Sequence, residues 1–327
     1  MRKPLITILV FLATITIIAV IMADYKSTRR GKGPANPYAF NVDEYRSVPP
    51  ELVRWEEVRQ VTIDGGIPRA IAYGRGNIYL AAGNEIQVIA GDWSRTLRKT
   101  LESAPTGIAV AGDGRIIISF STYLAILDKH GDIIEQSVPL PSGSHFTSVA
   151  EYDGNIYVAD ATARKVRIFN PALELTGEFA GESGVSETHG FIVPGAHFSL
   201  AVNSENELWI TNPGLHALQN YTAGGRLRSY LQNSSFGIEG FSGCCNPEYF
   251  AFLPGGGFVT SEKGLIRIKV MDESGEVVSV VAPGEKFRGG TRAPAVAVDD
   301  RGNVLALDFD RNIIRIFEPH AVDPAQR

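Results

Sequence analysis

Residues 146–171, FTSVAEYDGNIYVADATARKVRIFNP, contain the pattern that decides the fold. A short apolar run centred on Ala150 leads into a glycine turn. The β-rich run Ile156-Tyr157-Val158-Ala159 follows, then a polar break, then the alternating run Lys165-Val166-Arg167-Ile168-Phe169. Runs of β-branched and aromatic residues bounded by Gly, Asp and Asn are typical of short strands joined by tight turns.

The same unit occurs six times along the chain. Its central alanines are separated by 37, 41, 51, 50 and 46 residues. Repeats of this length, each made of several short strands, predict the blades of a β-propeller. We expect the alanines on the innermost strands, where a larger side chain would collide with the neighbouring blade. They are Ala72, Ala109, Ala150, Ala201, Ala251 and Ala297.

The two ends of the repeat region predict how the ring closes. The last unit stops at Glu318-Pro319 without a fourth strand, whereas the β-like stretch Val58–Ile63 precedes the first unit. Pairing this stretch with the last unit would leave no open edge. The sequence therefore predicts an all-β fold, a six-bladed β-propeller over residues 55–320 closed by an N-terminal strand, with a tail at 321–327.

The repeats resemble a known family. Their glycine turns and strands such as Leu208-Trp209-Ile210-Thr211 resemble the NHL-repeat family of six-bladed propellers, over residues 55–320. The segments Phe241–Pro247 and Val259–Gly264 are similar to those of an uncharacterised bacterial subgroup that carries a Gly-Cys-Cys-Asn-Pro segment. The resemblance implies the fold and no particular activity, because propellers support many functions.

The N-terminus carries an apolar stretch. Residues 4–23 contain no charge and are long enough to cross a bilayer as a helix. Arg2 and Lys3 precede them, so the segment is either an uncleaved signal anchor or a cleavable signal peptide at residues 1–23. The segment Ile21-Met22-Ala23 places a bulky residue where a small one is preferred, which disfavours cleavage. We expect a single-pass anchor in the cytoplasmic membrane, a polar stalk at residues 24–54, and the propeller on the extracytoplasmic side.

The charge distribution argues against one class of partner. Residues 1–32 carry a net charge of +5 and the whole chain −5, which leaves −10 for the remainder. Nucleic-acid affinity depends on Lys and Arg that neutralise phosphates. We therefore expect no nucleic-acid partner.

The departures from the repeat predict a functional face. Blade geometry places the connections between blades on the same face as the loops that join second and third strands. Three of these connections are long: Glu182–Gly195, Ser235–Pro247 and Gly284–Arg292. Long connections in a compact domain are often functional. The candidate binding residues on this face are Cys244, Cys245, Asn246, Glu262, Lys263, Asn212, Asp160 and Asp308.

The only two cysteines, Cys244 and Cys245, are adjacent, which leaves three interpretations open. They can bond to each other, in a strained and labile disulfide. Their thiolates can join His189, His197 or His216 around zinc or copper. They can also be small residues that pack a loop.

Carboxylates suggest a further possible ligand set. Asp160, Glu262 and Asp308 end equivalent strands near the expected mouth of the central channel. Carboxylates around one axis are suited to calcium. The alternative is that Asp and Asn are simply favoured in turns.

The sequence favours a binding module over an enzyme. It contains no recognisable catalytic set, so we expect a membrane-tethered propeller that binds a protein, peptide or glycan. One alternative is a metal-dependent lyase or hydrolase, which the resemblance implies because six-bladed relatives include such enzymes. Another is thiol or metal redox handling through Cys244 and Cys245, with nearby His.

Overall fold

The computed structural model describes residues 3–29, 45–181, 190–287 and 292–320. The chain divides into two compact units, Met1–Val42 and Asp43–Arg327.

The described residues of the first unit form the helix α1, Lys3–Arg29. This helix includes the apolar stretch at 4–23 and continues through the first residues of the expected stalk. Within the described part of the chain, no helix combines the length and the apolarity that a bilayer crossing requires. Residues 30–44 of the stalk and the tail at 321–327 lie outside the described residues.

The second unit is an all-β six-bladed propeller, which confirms the fold that the repeats predict. Its strands form six four-stranded antiparallel sheets, one per blade. From the innermost to the outermost strand, the first blade is β2 Pro68–Gly74, β3 Asn77–Ala82, β4 Glu85–Ala90 and β5 Arg95–Thr100, and the second is β6 Gly107–Val110, β7 Ile116–Ser119, β8 Leu124–Leu127 and β9 Ile133–Gln136. The third blade is β10 Phe146–Tyr152, β11 Asn155–Asp160, β12 Lys165–Phe169 and β13 Leu175–Phe179, and the fourth is β14 Leu200–Val202, β15 Leu208–Asn212, β16 Ala217–Tyr221 and β17 Leu227–Gln232. The fifth blade is β18 Tyr249–Phe252, β19 Phe258–Glu262, β20 Arg267–Met271 and β21 Val277–Ala282, and the sixth is β22 Ala295–Val298, β23 Val304–Asp308, β24 Ile313–Pro319 and β1 Trp55–Thr62. Short 3-10 turns occur at Pro50–Leu52, which precedes β1, and at Pro213–Leu215 and Gly284–Lys286, which lie between strands.

The sixth blade combines the two ends of the repeat region. Strand β1 pairs antiparallel with β24, with Trp55 opposite Pro319 and Thr62 opposite Ile313. The Arg315 guanidinium donates to both carboxylate oxygens of Glu57, which adds a charged contact across this pair.

The six innermost strands surround a central channel of about 400 Å³, which all six repeat alanines line. The space between neighbouring inner strands is small. A Cβ added at Gly107 would lie 2.6 Å from Ser119 Oγ and 3.3 Å from Cα of Ser148 in the next blade. The small residues of the repeat are therefore required by the close approach of the inner strands.

Hydroxyl groups connect some inner strands to each other. Ser148 Oγ donates to the carbonyl of Leu200 and accepts from the amide of the same residue, at 3.1 and 3.2 Å. Ser199 Oγ donates to the carbonyl of Glu248, at 2.9 Å. These bonds satisfy backbone groups that face the adjacent blade and fix the spacing of the third, fourth and fifth blades.

The core is distributed between blades. Each of six buried apolar clusters joins residues of two adjacent sheets. In the cluster between the fifth and sixth blades, Trp55 packs with Val281 and Phe317, and its indole N–H donates to Ser279 Oγ at 3.1 Å. The N-terminal strand therefore contributes directly to a blade interface.

We predict that Trp55→Ala lowers the free energy of unfolding by about 3–5 kcal/mol, the usual cost of truncating a buried tryptophan. Val58→Ala is the matched control, because Val58 lies on the same strand and is 45% exposed. Its cost should stay within about 0.5 kcal/mol. Urea denaturation of the two variants measures the difference. Equal midpoints would show that β1 does not support the ring.

Candidate functional site

The polar residues that end the second strands have a shared structural role. Asp160, Asn212 and Glu262 are fully buried. Each accepts a hydrogen bond from a backbone amide of the preceding inter-blade connection: His145 to Asp160 at 3.0 Å, Ile192 to Asn212 at 2.9 Å and Ser242 to Glu262 at 2.9 Å. We call these three side chains the latches, because they hold the connections against the blades.

The carboxylates at these strand ends are paired within their own blades. Asp160 contacts Arg167 at 3.2 Å, and Asp308 lies 3.7 Å from Arg315. Asp308 also accepts from two amides of its own turn. A buried carboxylate requires such partners. This arrangement accounts for the carboxylates as supports for loops, and among the described residues they are not grouped as metal ligands.

Glu262 has the densest set of partners. Its carboxylate contacts Lys269 at 2.8 Å and Arg267 at 3.0 Å, and all three side chains are almost fully buried. Burial alone would raise the pKa of Glu262, but the two cations hold it below its ordinary value. Glu262 is therefore an ionised carboxylate inside the fifth blade.

Part of the expected metal-ligand set can be located. Among the described residues, no group of three His, Cys, Asp or Glu is placed to hold a metal ion. His189, one of the three expected histidine ligands, lies outside the described residues. The zinc or copper site that includes His189 therefore stays a prediction.

The two remaining histidines of that expected set have different surroundings. His216 follows the 3-10 turn at Pro213–Leu215 in a left-handed conformation, with a φ of 55°. Its Nδ1 is buried without a partner among the described residues, and burial lowers its pKa although Glu262 opposes this. His197 lies at the channel, where the centre of its ring is 4.3 Å from that of the Tyr249 ring and the two planes are tilted by 42°.

The hydrogen bonds of His197 fix its tautomer. Its Nε2 lies 3.0 Å from Ser199 Oγ, and that hydroxyl donates its single proton to the Glu248 carbonyl. Nε2 must therefore donate, which leaves Nδ1 as the acceptor of a neutral imidazole. Burial, together with the nearby charges of His145, Arg292 and Lys263, lowers the pKa of His197 to about 3.

Two cations, Lys263 and Arg292, lie beside the neutral His197. Arg292 interacts with the Tyr249 hydroxyl, and its guanidinium carbon lies 3.8 Å from the centre of the Phe309 ring. Lys263 extends so close to Gly195 that a Cβ there would be 3.1 Å from Nζ. Among the residues that the structure describes, neither Lys263 nor Arg292 forms an ion pair, unlike the buried cations inside the blades.

A carboxyl group accompanies these cations. Glu248 immediately precedes β18, and its Oε2 is buried without a hydrogen-bond partner among the described residues. Burial raises the pKa of Glu248, and Lys263, the Ala293 amide and Arg292 offset this only in part. Glu248 is thus suited to exchange a proton closer to neutral pH than an ordinary glutamate.

We call the group His197, Glu248, Tyr249, Lys263 and Arg292 the channel mouth. Of these, the sequence pointed to His197, as a potential metal ligand, and to Lys263. The sequence analysis missed Glu248, Tyr249 and Arg292 as site residues, and also the neighbouring His145.

One signal in the repeat could have found Tyr249. The position two residues before each repeat alanine holds a small residue in five blades: Ala70, Gly107, Ser148, Ser199 and Ala295. The fifth blade has Tyr249 there. A large side chain at a position that otherwise faces the narrow channel marks where the channel is altered.

Cys244 and Cys245 lie on the segment that the Glu262 latch holds. Both are free; Cys244 is exposed, Cys245 is buried, and their Sγ atoms are 2.8 Å apart. Asn246 accepts from the Lys263 amide at 2.9 Å and donates to the Lys263 carbonyl at 3.0 Å. This reciprocal pair ties the cysteine segment to the loop that carries Lys263.

Comparison with known proteins gives the fold and no family. No protein-family model matches the chain, and no curated protein matches it. The NHL resemblance and the Gly-Cys-Cys-Asn-Pro subgroup therefore remain predictions.

Several solved structures are similar in fold. A protein of unknown function from Bacteroides caccae is 15% identical, with a TM-score of 0.56 over 72% of this chain and 88% of that one. Virginiamycin B lyase from Staphylococcus aureus is 14% identical, with a TM-score of 0.52 over 82% and 90%. A streptogramin B lyase is 13% identical, with a TM-score of 0.54 over 81% and 97%. Identities this low support a shared propeller fold and nothing finer.

We predict that Glu262→Gln lowers the free energy of unfolding by about 3–5 kcal/mol, because it leaves Lys269 and Arg267 buried without a counter-charge. Glu178→Gln is the matched control. Glu178 also pairs with two cations, Lys165 and Arg167, but it is 37% exposed. Its cost should be about 0–1 kcal/mol. Similar denaturation midpoints for both variants would contradict the role of Glu262 as a buried latch.

We predict that stability depends on pH because the pKa of His197 is lowered in the folded chain. Its folded pKa of about 3 lies below the ordinary value of 6.5, so the unfolded chain takes up the proton first. The His197 contribution is therefore complete above pH 6.5 and is lost as the pH falls towards 3. Its slope approaches about 1.4 kcal/mol per pH unit.

The measurement is the free energy of unfolding of the wild type and His197→Asn between pH 7 and pH 5. The wild type should lose stability more steeply than the variant. His130→Asn, in an exposed turn, should retain the wild-type slope. Parallel curves for the wild type and His197→Asn would refute the assignment.

Proposed function

We propose that this propeller is a binding module, and that the channel mouth receives a negatively charged group of a protein, peptide or glycan ligand. The observation that carries the proposal is the unpaired state of two cations. Every strongly buried Lys or Arg inside the described blades contacts a carboxylate. Lys263 is half-buried and Arg292 is exposed, so both can reach a ligand, and neither contacts a carboxylate among the described residues although the chain carries a net charge of −5.

The neighbouring groups favour an anion over a cation. His197 is neutral and cannot repel a ligand cation by itself, but Lys263 and Arg292 would. Protonated Glu248 is uncharged, and burial favours this form because it raises the pKa of the carboxyl group. Charge-assisted hydrogen bonds from Lys and Arg to a carboxylate are roughly twice as strong as neutral ones.

The shape of the site limits how much of the ligand enters. The channel of about 400 Å³ is lined largely by small and aliphatic residues of the inner strands. A space of this size accepts a side chain or a chain terminus and excludes a folded domain. The rest of the ligand would lie on the inter-blade connections around the mouth.

We also propose that residues 4–23 attach the module to a membrane, with the propeller on the extracytoplasmic side. The support is the uncharged apolar stretch in the sequence alone, since helix α1, as far as its residues are described, does not meet the requirements of a bilayer crossing. Cell fractionation with protease protection tests this part independently of binding.

One observation favours a second candidate, acid–base chemistry at the mouth. Glu248 combines a raised pKa with a carboxyl oxygen that lacks a partner, the usual features of a general acid or base. Two of the similar structures are named as lyases. Conversion of virginiamycin B by the full-length chain, lost in Glu248→Gln, would favour this candidate over binding alone.

We predict that the full-length chain binds N-acetylglutamate and glucuronate but not the uncharged N-acetylglutamine and glucose. Inorganic phosphate distinguishes a carboxylate site from a general anion site. Lys263→Met and Arg292→Met should each weaken carboxylate binding about tenfold or more, the cost of losing one charged hydrogen bond. Isothermal titration calorimetry at low salt measures these affinities.

Lys129→Met is the control, because Lys129 is exposed in the turn between β8 and β9 on the opposite face. It should leave the affinity unchanged. The proposal fails if charged and uncharged probes bind equally, or if Lys263→Met and Arg292→Met both behave like the control.

A further inference from the structure

The cysteine segment is held rigidly at both ends. The Ser242 amide and hydroxyl both donate to the buried carboxylate of Glu262, at 2.9 and 3.1 Å. Asn246 Nδ2 donates to the Ser242 carbonyl at 2.5 Å and to the Lys263 carbonyl at 3.0 Å. Ser242, Asn246 and Glu262 are almost fully buried. The loop between Ser242 and Asn246 is therefore fixed, and it carries both thiols at its tip.

The two sulphur atoms are already close together. They are 2.8 Å apart, and a disulfide bond is about 2.05 Å long. The chain contains no third cysteine, so each thiol has only its neighbour as a partner within the molecule. Cys244 is exposed and accessible to a reagent, whereas Cys245 is buried.

We infer that Cys244 and Cys245 are a redox pair that a low-molecular-weight disulfide oxidises to a disulfide between neighbouring residues. The Cys244 thiolate attacks one sulphur of the oxidant, which forms a mixed disulfide and releases the first small thiol. The Cys245 thiolate then attacks the Cys244 sulphur and releases the second. Two electrons pass to the oxidant, and the two protons lost by the cysteines balance the two thiols formed.

Lys263 assists the second step. Burial raises the pKa of the Cys245 thiol, the adjacent Cys244 adds to this, and the Lys263 ammonium group opposes it. A cation beside the sulphur stabilises the thiolate that attacks. Once the bond has formed, Cys245 no longer has an ionisable thiol to interact with Lys263.

Geometry makes the bond reversible. Cα atoms of adjacent residues are about 3.8 Å apart across a trans peptide, whereas ordinary disulfides span about 4.4–6.8 Å. A ring closed between neighbours is therefore strained, and strained disulfides are readily reduced. The pair would respond to the redox state of its surroundings and would not act as a permanent cross-link.

The pair would also control the channel mouth, and this part rests on the proposed function. In the reduced form a hydrogen bond links the Cys245 thiol to the Lys263 side chain, and a ligand anion must replace it. In the oxidised form Lys263 is free to bind the anion. We expect oxidation to tighten N-acetylglutamate binding about fivefold, the effect of one additional hydrogen bond.

The first experiment tests the pair itself. The reduced full-length chain is incubated with excess oxidised glutathione, and its thiols and intact mass are then measured under denaturing conditions. We expect both thiols to disappear, a mass lower by two hydrogen atoms, no retained glutathione, and recovery of both thiols with dithiothreitol. Cys244→Ser and Cys245→Ser should be unable to lose two hydrogens in this way.

Two results would overturn the assignment: two thiols that persist in the wild type, or a wild-type product that ends as a glutathione adduct or a linked dimer. Both are read on the wild type and do not depend on the folding of a variant. Calorimetry of the oxidised and reduced forms then tests the coupling. Equal affinities would refute the coupling alone, and absence of probe binding in both forms would refute the proposed function while the mass result stands.

Discussion

The close approach of six inner strands is the constraint on which the rest of the structure depends. At Gly107 even a methyl group would meet the neighbouring blade, and the serines at 148 and 199 use the same narrow gap to bind backbone groups across it. Crowding at the axis thus permits only small residues on the inner strands. These strands approach each other closely and leave a narrow channel between them. A large residue at this position, Tyr249, changes the channel locally and brings His197 and Arg292 beside it.

The three latches hold the loops between the blades in place. Asp160, Asn212 and Glu262 each end a second strand and each bind the connection that precedes their blade. Because these side chains are buried, their hydrogen bonds are worth more than exposed ones, and leaving a partner unsatisfied would be costly. Loops on this face are consequently held in defined positions, which a binding site requires. Glu262 matters most, since it positions the segment that carries both cysteines.

The site combines two kinds of chemistry on adjacent loops. The channel mouth has cations that lack carboxylate partners among the described residues, and the cysteine segment has two thiols in contact. Lys263 belongs to both, through its electrostatic interaction with His197 and with Cys245. Asn246 binds the backbone of Lys263 in both directions, so a shift of one loop is passed to the other. Through this physical connection the proposed redox pair would act on binding at the channel mouth.

The sequence by itself determined the six blades, the strands within them and the face that carries the long connections. It did so because strand alternation, glycine turns and small axial residues are local requirements that recur in every repeat. It also identified Lys263 and the adjacent cysteines. It suggested Asp160 and Asp308 as part of one ion site, but it could not show that each carboxylate lies beside an arginine of its own blade, because a motif does not show which cation a carboxylate contacts. Only the tertiary structure decided that His197, Tyr249 and Arg292 meet, because they come from three successive blades and their contact depends on how those blades pack around the axis.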